Sequence, residues 1–273
     1  MKSLFPMELP YNFDIRWIDF LYIMDPEGKN YDCIYLPPYW EDYHSAKYNY
    51  QGLYSLQNTM TREEYCEHVQ YINDVFPGKV CLLLQQNKTL LDQQLLEQFY
   101  MPLGIKQFCV GSIEQAKKIK EVSSQFKIIA SITMKLMPNE LNSNQELKKY
   151  IDQVILFFPY NTHKDLVDQL PNDFRYVLLV NCRCDDRCAG THHWFATREE
   201  ELELIPKVCP NLNGMASPEH SMFINPLDLP KWKDKISVIK LQGREFPTED
   251  LIMDFMAYNQ DYEYYGIGEM KSI

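Results

Sequence analysis

The chain has 273 residues, 45% of them apolar, which is enough for one α/β barrel or two small domains. Its formal net charge is −11 and no Lys/Arg run is long enough to follow a phosphate backbone, so nucleic acid and anionic membrane are excluded as expected partners. MKSLFPMELP lacks the pattern of a signal peptide and no apolar run reaches the length of a membrane span, so a cytoplasmic protein is expected, with its 8 cysteines as buried thiols or metal ligands rather than disulfides.

In chain order, ELPYN (8–12) reads as a first strand, and FDIRWIDFLYIM places Phe13, Trp17, Phe20 and Leu21 at helical spacing. DPEGKN is a turn and CIYL (33–36) a strand. An aromatic loop at 37–57 follows, too long for a simple connector. In TREEYCEHVQYINDVF, Thr61 with Glu64 makes a capping-box start. KVCLLLQQN (79–87) is a strand, LLDQQLLEQFYMPLG a helix ending at Gly104, IKQFCVGS (105–112) a strand and IEQAKKIKEVSSQF a helix. Cys81 and Cys109 sit inside apolar strands and read as core residues, and Cys66 reads as structural. KIIASITMKL (127–136) is a strand, a helix starts after Asn144, QVILFFPYN (153–161) is a strand and HKDLVDQLPN a short helix. RYVLLVN (175–181) is a strand and TREEELELIPKVC (197–209) is helix-like. SMFIN (221–225) reads as a strand, PLDLPKWKDK as a short helix, ISVIKLQGR (236–244) as the last strand and TEDLIMDFMAYNQDY as the closing helix, before a tail at 259–273.

Eight or nine strands, each followed by a helix or long loop, with no Pro/Gly/Ser-rich linker, predict one β/α barrel of the eight-stranded TIM type over residues 1–273. Polar residues recur at strand C-termini: Asn12, Gln85, Gln86, Asn87, Ser112, Asn161, Asn181, Asn225 and Arg244. In parallel α/β folds this end carries the chemistry, although strand ends are polar in general.

The densest chemical signal follows the strand RYVLLVN. Cys182, Cys184 and Cys188 fall within seven residues, His192 and His193 come next, and Cys209 lies further on. Thiolates at such spacing bind a soft or borderline metal. The unequal spacings suit an iron–sulfur cluster better than the paired knuckles of structural zinc sites. Arg183, Arg187 and His192 would offset thiolate charge. The sequence contains no G-x-G-x-x-G, P-loop, G-x-S-x-G or H-E-x-x-H.

The segment LLVNCRCDDRCAGTHHWF resembles the strand-end motif of the collagenase-like peptidase family: L-V-N, a Cys-x3-Cys, then a His–aromatic pair. FINPLDLPKWKDKISVIKLQGREFPTEDL (223–251) resembles the family's closing segment, an I-R-P-E-D-L stretch followed by a K-I-x-G-R strand. In that stretch the arginine and glutamate are replaced by Asn225 and Leu227, the proline after the second cysteine by Ala189, and the single histidine by a pair.

Despite the name, well-understood members of that family are similar to iron–sulfur proteins on a barrel scaffold, which hydroxylate aromatic precursors or nucleobases without oxygen, with prephenate as oxygen donor. The resemblance implies a [4Fe-4S] cluster on Cys184, Cys188 and Cys209, with Cys182, Cys33 or His193 for the fourth position. It implies an oxidoreductase acting on a small or aromatic substrate. His192 or His193 would donate protons, and Lys240 and Arg244 would bind an acidic substrate or the carboxylates of the donor. For Lys240, a barrel-interior ion pair is the competing reading. The alternative for the whole protein is a non-catalytic barrel with a structural metal or none, binding a peptide or small ring at 37–57 or completing a heteromeric partner enzyme. Proteolysis is not expected.

Overall fold

Short runs of apolar and β-branched residues, buried on both faces, become parallel strands when helices cover them. The computed structural model describes residues 3–39, 41–42, 60–85, 91–157, 159–182, 222–244 and 246–259. Within these, β1 (Met7–Pro10), β2 (Tyr31–Leu36), β3 (Val80–Leu84), β4 (Gln107–Val110), β5 (Lys127–Ala130), β6 (Gln153–Ile155), β7 (Arg175–Leu179) and β8 (Val238–Lys240) follow one another around a closed barrel. Each pairs in parallel with the next, and β8 returns to β1. The expected TIM-like barrel is therefore present. The closing seam is short: Met7 lies opposite Ile239, and Glu8 opposite Lys240.

Alternation along the strands separates two cores. Leu9, Ile34, Leu36, Leu82, Val110 and Leu178 face the helix layer, where they join Trp17, Val69, Ile119 and Phe255. Cys33, Tyr35, Cys81, Leu83, Cys109 and Val177 form the separate inner core, which takes no residue from the long helices. The Cys81 and Cys109 readings are borne out, since both side chains are buried.

The helices are α1 (Ile15–Met24), α2 (Arg62–Val75), α3 (Gln93–Leu95), α4 (Ile113–Val122), α5 (Pro138–Ser143), α6 (Gln145–Tyr150), α7 (Pro159–Thr162), α8 (Lys164–Asp168) and α9 (Thr248–Tyr258). The Thr61–Glu64 capping box forms as expected. Asp14 caps α1 by accepting from Arg16 N, binds the Arg16 guanidinium, and accepts from Thr248 Oγ1 at 2.6 Å, which ties α1 to the start of α9.

Several elements differ from the sequence reading. α3 passes after one turn into a π-helix, Leu96–Tyr100, instead of running as α-helix to Gly104. The wider turn accompanies an inward Tyr100, which donates to Asp42 Oδ2 and accepts from Tyr39 N. Asp42 also takes two bonds from Arg62, whose guanidinium lies over the rings of Tyr39 and Phe99, so the two ends of the long aromatic loop are joined. Residue 40 and residues 43–57 of that loop lie outside the described residues, as do residues 260–273 of the tail and the predicted helix 197–209. β5 stops at Ala130 because Ser131 accepts from Thr133 N and opens a 3-10 turn, Ile132–Met134. β6 stops at Ile155, and α7 follows where strand was expected.

Residues 222–225 are not a strand. Ile224 N bonds Val180 O, but β7 is already paired on both sides by β6 and β8, and a closed barrel leaves no edge for another strand. The predicted helix after it is a 3-10 segment, Pro226–Trp232, with Pro230 inside.

Two predictions follow from this geometry. Gly243 has φ +131, and a Cβ there would lie 2.5 Å from the Phe246 ring and 2.8 Å from Leu251. Gly243→Ala should lower stability by about 1–3 kcal/mol from backbone strain alone, read as a lower denaturant midpoint. The Arg16 hydrogen bond, aided by Thr248 and against the effect of burial, lowers the Asp14 pKa from its usual value to about 2. A depressed carboxyl pKa stabilises the fold above the unfolded value and loses that effect as pH falls through the folded one. The melting-temperature deficit of Asp14→Asn should therefore be full at neutral pH and shrink toward zero between about pH 5 and about pH 2.

Candidate functional site at the barrel mouth

The C-terminal ends of the strands converge on one face, and side chains there meet whatever the loops bring. A cavity of about 20 Å³ opens at this mouth, lined among others by Tyr35, Gln85, Ile132, Lys240, Gln242 and Arg244. That is room for about one water molecule.

Lys240, at the end of β8, is buried and donates from Nζ to Glu8 Oε2 at 2.7 Å across the closing seam. Its ammonium also sits over the Tyr35 ring, 3.3 Å from the centroid. Burial alone would lower the Lys240 pKa, but the Glu8 carboxylate, the Tyr35 hydroxyl and the nearby thiols outweigh it and hold it above the ordinary lysine value. Lys240 therefore stays cationic, which unsuits it to act as a nucleophile or base at neutral pH. The competing reading of this residue, a barrel-interior ion pair, is the one that forms, and Lys240 also lines the mouth.

The pair continues down the barrel. Glu8 Oε1 accepts from Gln153 Nε2 at 2.6 Å, and the same nitrogen reaches Asp32 Oδ2 at 3.1 Å. Asp32 is bound by Lys127 at 2.5 Å and by Arg175 at 3.2 Å. Burial pushes the Asp32 pKa up, but Lys127 and Arg175 outweigh it and hold the carboxyl below its usual range. A polar chain thus runs from the mouth to the N-terminal end of the strands, beside three buried thiols. Burial, then the neighbouring Cys33, raises the Cys81 thiol pKa, and burial raises Cys109 to about 12. The Cys81 and Cys109 thiols are protonated and inert at neutral pH.

Arg244 is the second expected cation at the mouth. It is 5% exposed, lines the cavity, and makes no hydrogen bond or ion pair among the described residues. A guanidinium carries five donors and cannot shed its charge, so a buried one ordinarily has an anion beside it. Gln242 donates to Asn181 O, while its Oε1 is buried without a hydrogen-bond partner among the described residues.

Most other polar strand ends are structural. Asn12 donates to Phe246 O and Thr248 Oγ1. Ser112 caps α4, and Asn225 caps the 3-10 segment. Asn161 donates to Leu179 O and Met222 O, and Asn181 joins Gln242 to Asp254. Only Gln85 and Arg244 of that set line the cavity, and Gln86 and Asn87 lie outside the described residues.

Of the proposed metal ligands, Cys182 is described. It is buried in the inner core with Leu179 and Met222, just past the end of β7. Cys33 is also in the inner core, two residues back from Tyr35 on β2. Cys184, Cys188, Cys209, His192 and His193 lie outside the described residues. Among the described residues no three His, Cys, Asp or Glu side chains are placed to hold a metal, and no helix is long and apolar enough to cross a membrane. Sequence reasoning missed Glu8, Tyr35, Gln153 and Gln242. An acidic residue within the apolar MELP strand was the available signal, because a buried carboxylate needs a cation and the strand carrying Lys240 closes the same barrel.

No protein-family model matches the sequence, and no curated protein matches it. Among solved structures, the fold is similar to that of a U32 (collagenase-like) peptidase, Mk0906, with a TM-score of 0.55. The similarity covers 90% of this chain and 96% of that one, at 12% sequence identity. The expected likeness to the collagenase-like family thus has a counterpart in the shape of the whole barrel.

Lys240→Met leaves Glu8 buried without its cation and should destabilise the protein by about 3–5 kcal/mol. The double variant Glu8→Gln/Lys240→Met should recover much of that loss in equilibrium denaturation, because no lone charge then remains inside.

Proposed function

We propose that the protein is a barrel oxidoreductase that takes a small anionic substrate at the mouth and carries an iron–sulfur cluster on the thiols following β7. The observation that carries the first half is Arg244, a buried guanidinium lining the mouth without an anionic partner among the described residues. A carboxylate is its natural complement, since the planar fork matches two carboxylate oxygens. Lys240 adds positive potential from below while Glu8 and Tyr35 keep its ammonium in place. Gln242 Oε1 offers an acceptor beside these donors.

The second half rests on donor chemistry. Cys184, Cys188 and Cys209 would hold a [4Fe-4S] cluster, with Cys182 or His193 as candidates for a fourth position. Thiolate sulfur suits iron of this kind, and the cysteine run begins where β7 delivers Cys182 to the same mouth as Arg244 and Lys240. Such a group supplies one-electron transfer, or an open iron as a Lewis acid, when bound. The role of this chain's own residues is to bind and orient the substrate at Arg244, hold a second cation beside it at Lys240, and move protons at His192 or His193. By the family resemblance, prephenate, itself a dicarboxylate, is the candidate oxygen donor. Peptidase activity, the activity in the name of the similar structure, has no such support, because the sequence contains neither G-x-S-x-G nor H-E-x-x-H.

A second reading, a non-catalytic barrel that completes a partner enzyme, is favoured by the size of the mouth cavity, about 20 Å³ against roughly 300–1,000 Å³ for most small-molecule pockets. Anaerobic purification followed by iron and sulfide assay separates the two. The enzyme reading expects about four irons and four sulfides per chain and loss of the visible absorbance in Cys184→Ala, Cys188→Ala and Cys209→Ala. Iron-free protein after reconstitution would sink it. Arg244→Gln should retain the iron and the melting temperature but lose the thermal stabilisation given by added dicarboxylates.

A further inference from the structure

A cavity of about 570 Å³ lies on the outer wall of the barrel, between the start of α1 and α2, well within the size range of small-molecule sites. Glu64, His68 and Tyr71 line it from one face of α2, at i, i+4 and i+7, with Glu67 beside them. Phe13, Ile15 and Met60 supply apolar walls. Phe13 is held at φ +60, an uncommon backbone conformation for a bulky residue, and its ring stands edge-on to His68 at 5.5 Å. Ile15 is 49% exposed although it opens a helix whose other face is core.

Among the described residues, the charged groups that line this cavity are both carboxylates, Glu64 and Glu67. Burial, then the Asp14 charge, raises the Tyr11 pKa, so the phenol keeps its proton and shares a 2.5 Å hydrogen bond with His68 Nδ1. Burial also lowers the His68 pKa, against the pull of Glu67 and Glu64. The imidazole is therefore neutral at physiological pH. Glu64 spends one oxygen on Thr61 N, whereas Glu67 makes no hydrogen bond or ion pair among the described residues. Among the described residues, no lysine or arginine lines the cavity. Asp19, which binds the Tyr71 hydroxyl, adds a further negative charge behind the wall.

We infer that this cavity is a binding site for a small organic cation, an ammonium carried on an apolar or aromatic body. The ammonium would face Glu67 and Glu64 with the Tyr71 and Phe13 rings beside it, and the body would lie against Ile15 and Met60. An anion would meet two carboxylates, and a neutral ligand would forgo their attraction. The site is on the outside of the barrel, so it stands whether or not the mouth carries iron.

The test is a calorimetric or NMR titration of the full chain with phenethylammonium, 2-phenylethanol and 3-phenylpropionate. The cation should bind at least about tenfold more tightly than either analogue. Glu67→Gln should weaken it roughly three- to tenfold, as loss of one partly exposed charge does. Ile15→Lys, which places an ammonium at the rim of the cavity, should abolish it. Both positions are exposed, so both variants should melt like the parent. Equal binding of the three probes, cation binding unmoved by both substitutions, or no saturable binding of phenethylammonium would each overturn the inference.

Discussion

Glu8 and Lys240 face each other across the join that closes the barrel, as short as any in the ring. The seam between the first and last strands is two residue pairs long, and this is one of them. Backbone pairing of that length holds two strands weakly. A buried ion pair adds a directional requirement, because either charge left alone inside would be costly. The pair does not end there: Gln153 and Asp32 extend it through β6 and β2, and Lys127 and Arg175 tie in β5 and β7. Five strands besides the last are thus linked through side chains that no apolar core could orient so specifically.

That arrangement shapes the chemistry available at the mouth. With Glu8 on one side and the Tyr35 ring on another, Lys240 is a fixed positive charge and not a proton carrier. Arg244, four residues on, lies beyond the reach of these partners. The local bend that delivers it depends on Gly243, where the Phe246 ring and Leu251 leave no space for a side chain. A fixed, paired cation below and a second cation above, unpaired among the described residues, is an arrangement suited to holding a carboxylate.

The likeness to a U32 peptidase structure is one of fold at 12% identity. Barrels of this kind host many unrelated reactions, and the activity lies in what the strand ends and helices carry. Here two places carry more than packing requires: a cationic mouth, and a carboxylate-lined cavity on α2. Their opposite signs mean that the two would select different ligands, and their placement, one inside the strand ring and one outside the helix layer, keeps them physically separate.

The sequence by itself determined the barrel. Strand-length apolar runs alternating with amphipathic helices leave few other solutions, and local signals such as the Thr61–Glu64 box are decided within one turn of chain. It also marked Lys240 and Arg244 as mouth residues, because strand order and strand ends can be counted. The tertiary structure alone decided which polar strand ends are free for a ligand. Asn161 and Asn181 look the same as Gln85 in sequence, yet they stitch loops whose carbonyls come from dozens of residues away. It likewise decided that residues 222–225 could not be a strand, since closure removes every edge, and that Glu8 belongs to Lys240, 232 residues distant. Such pairings depend on which strands become neighbours, and no local pattern encodes a neighbour that the chain meets only when the ring closes.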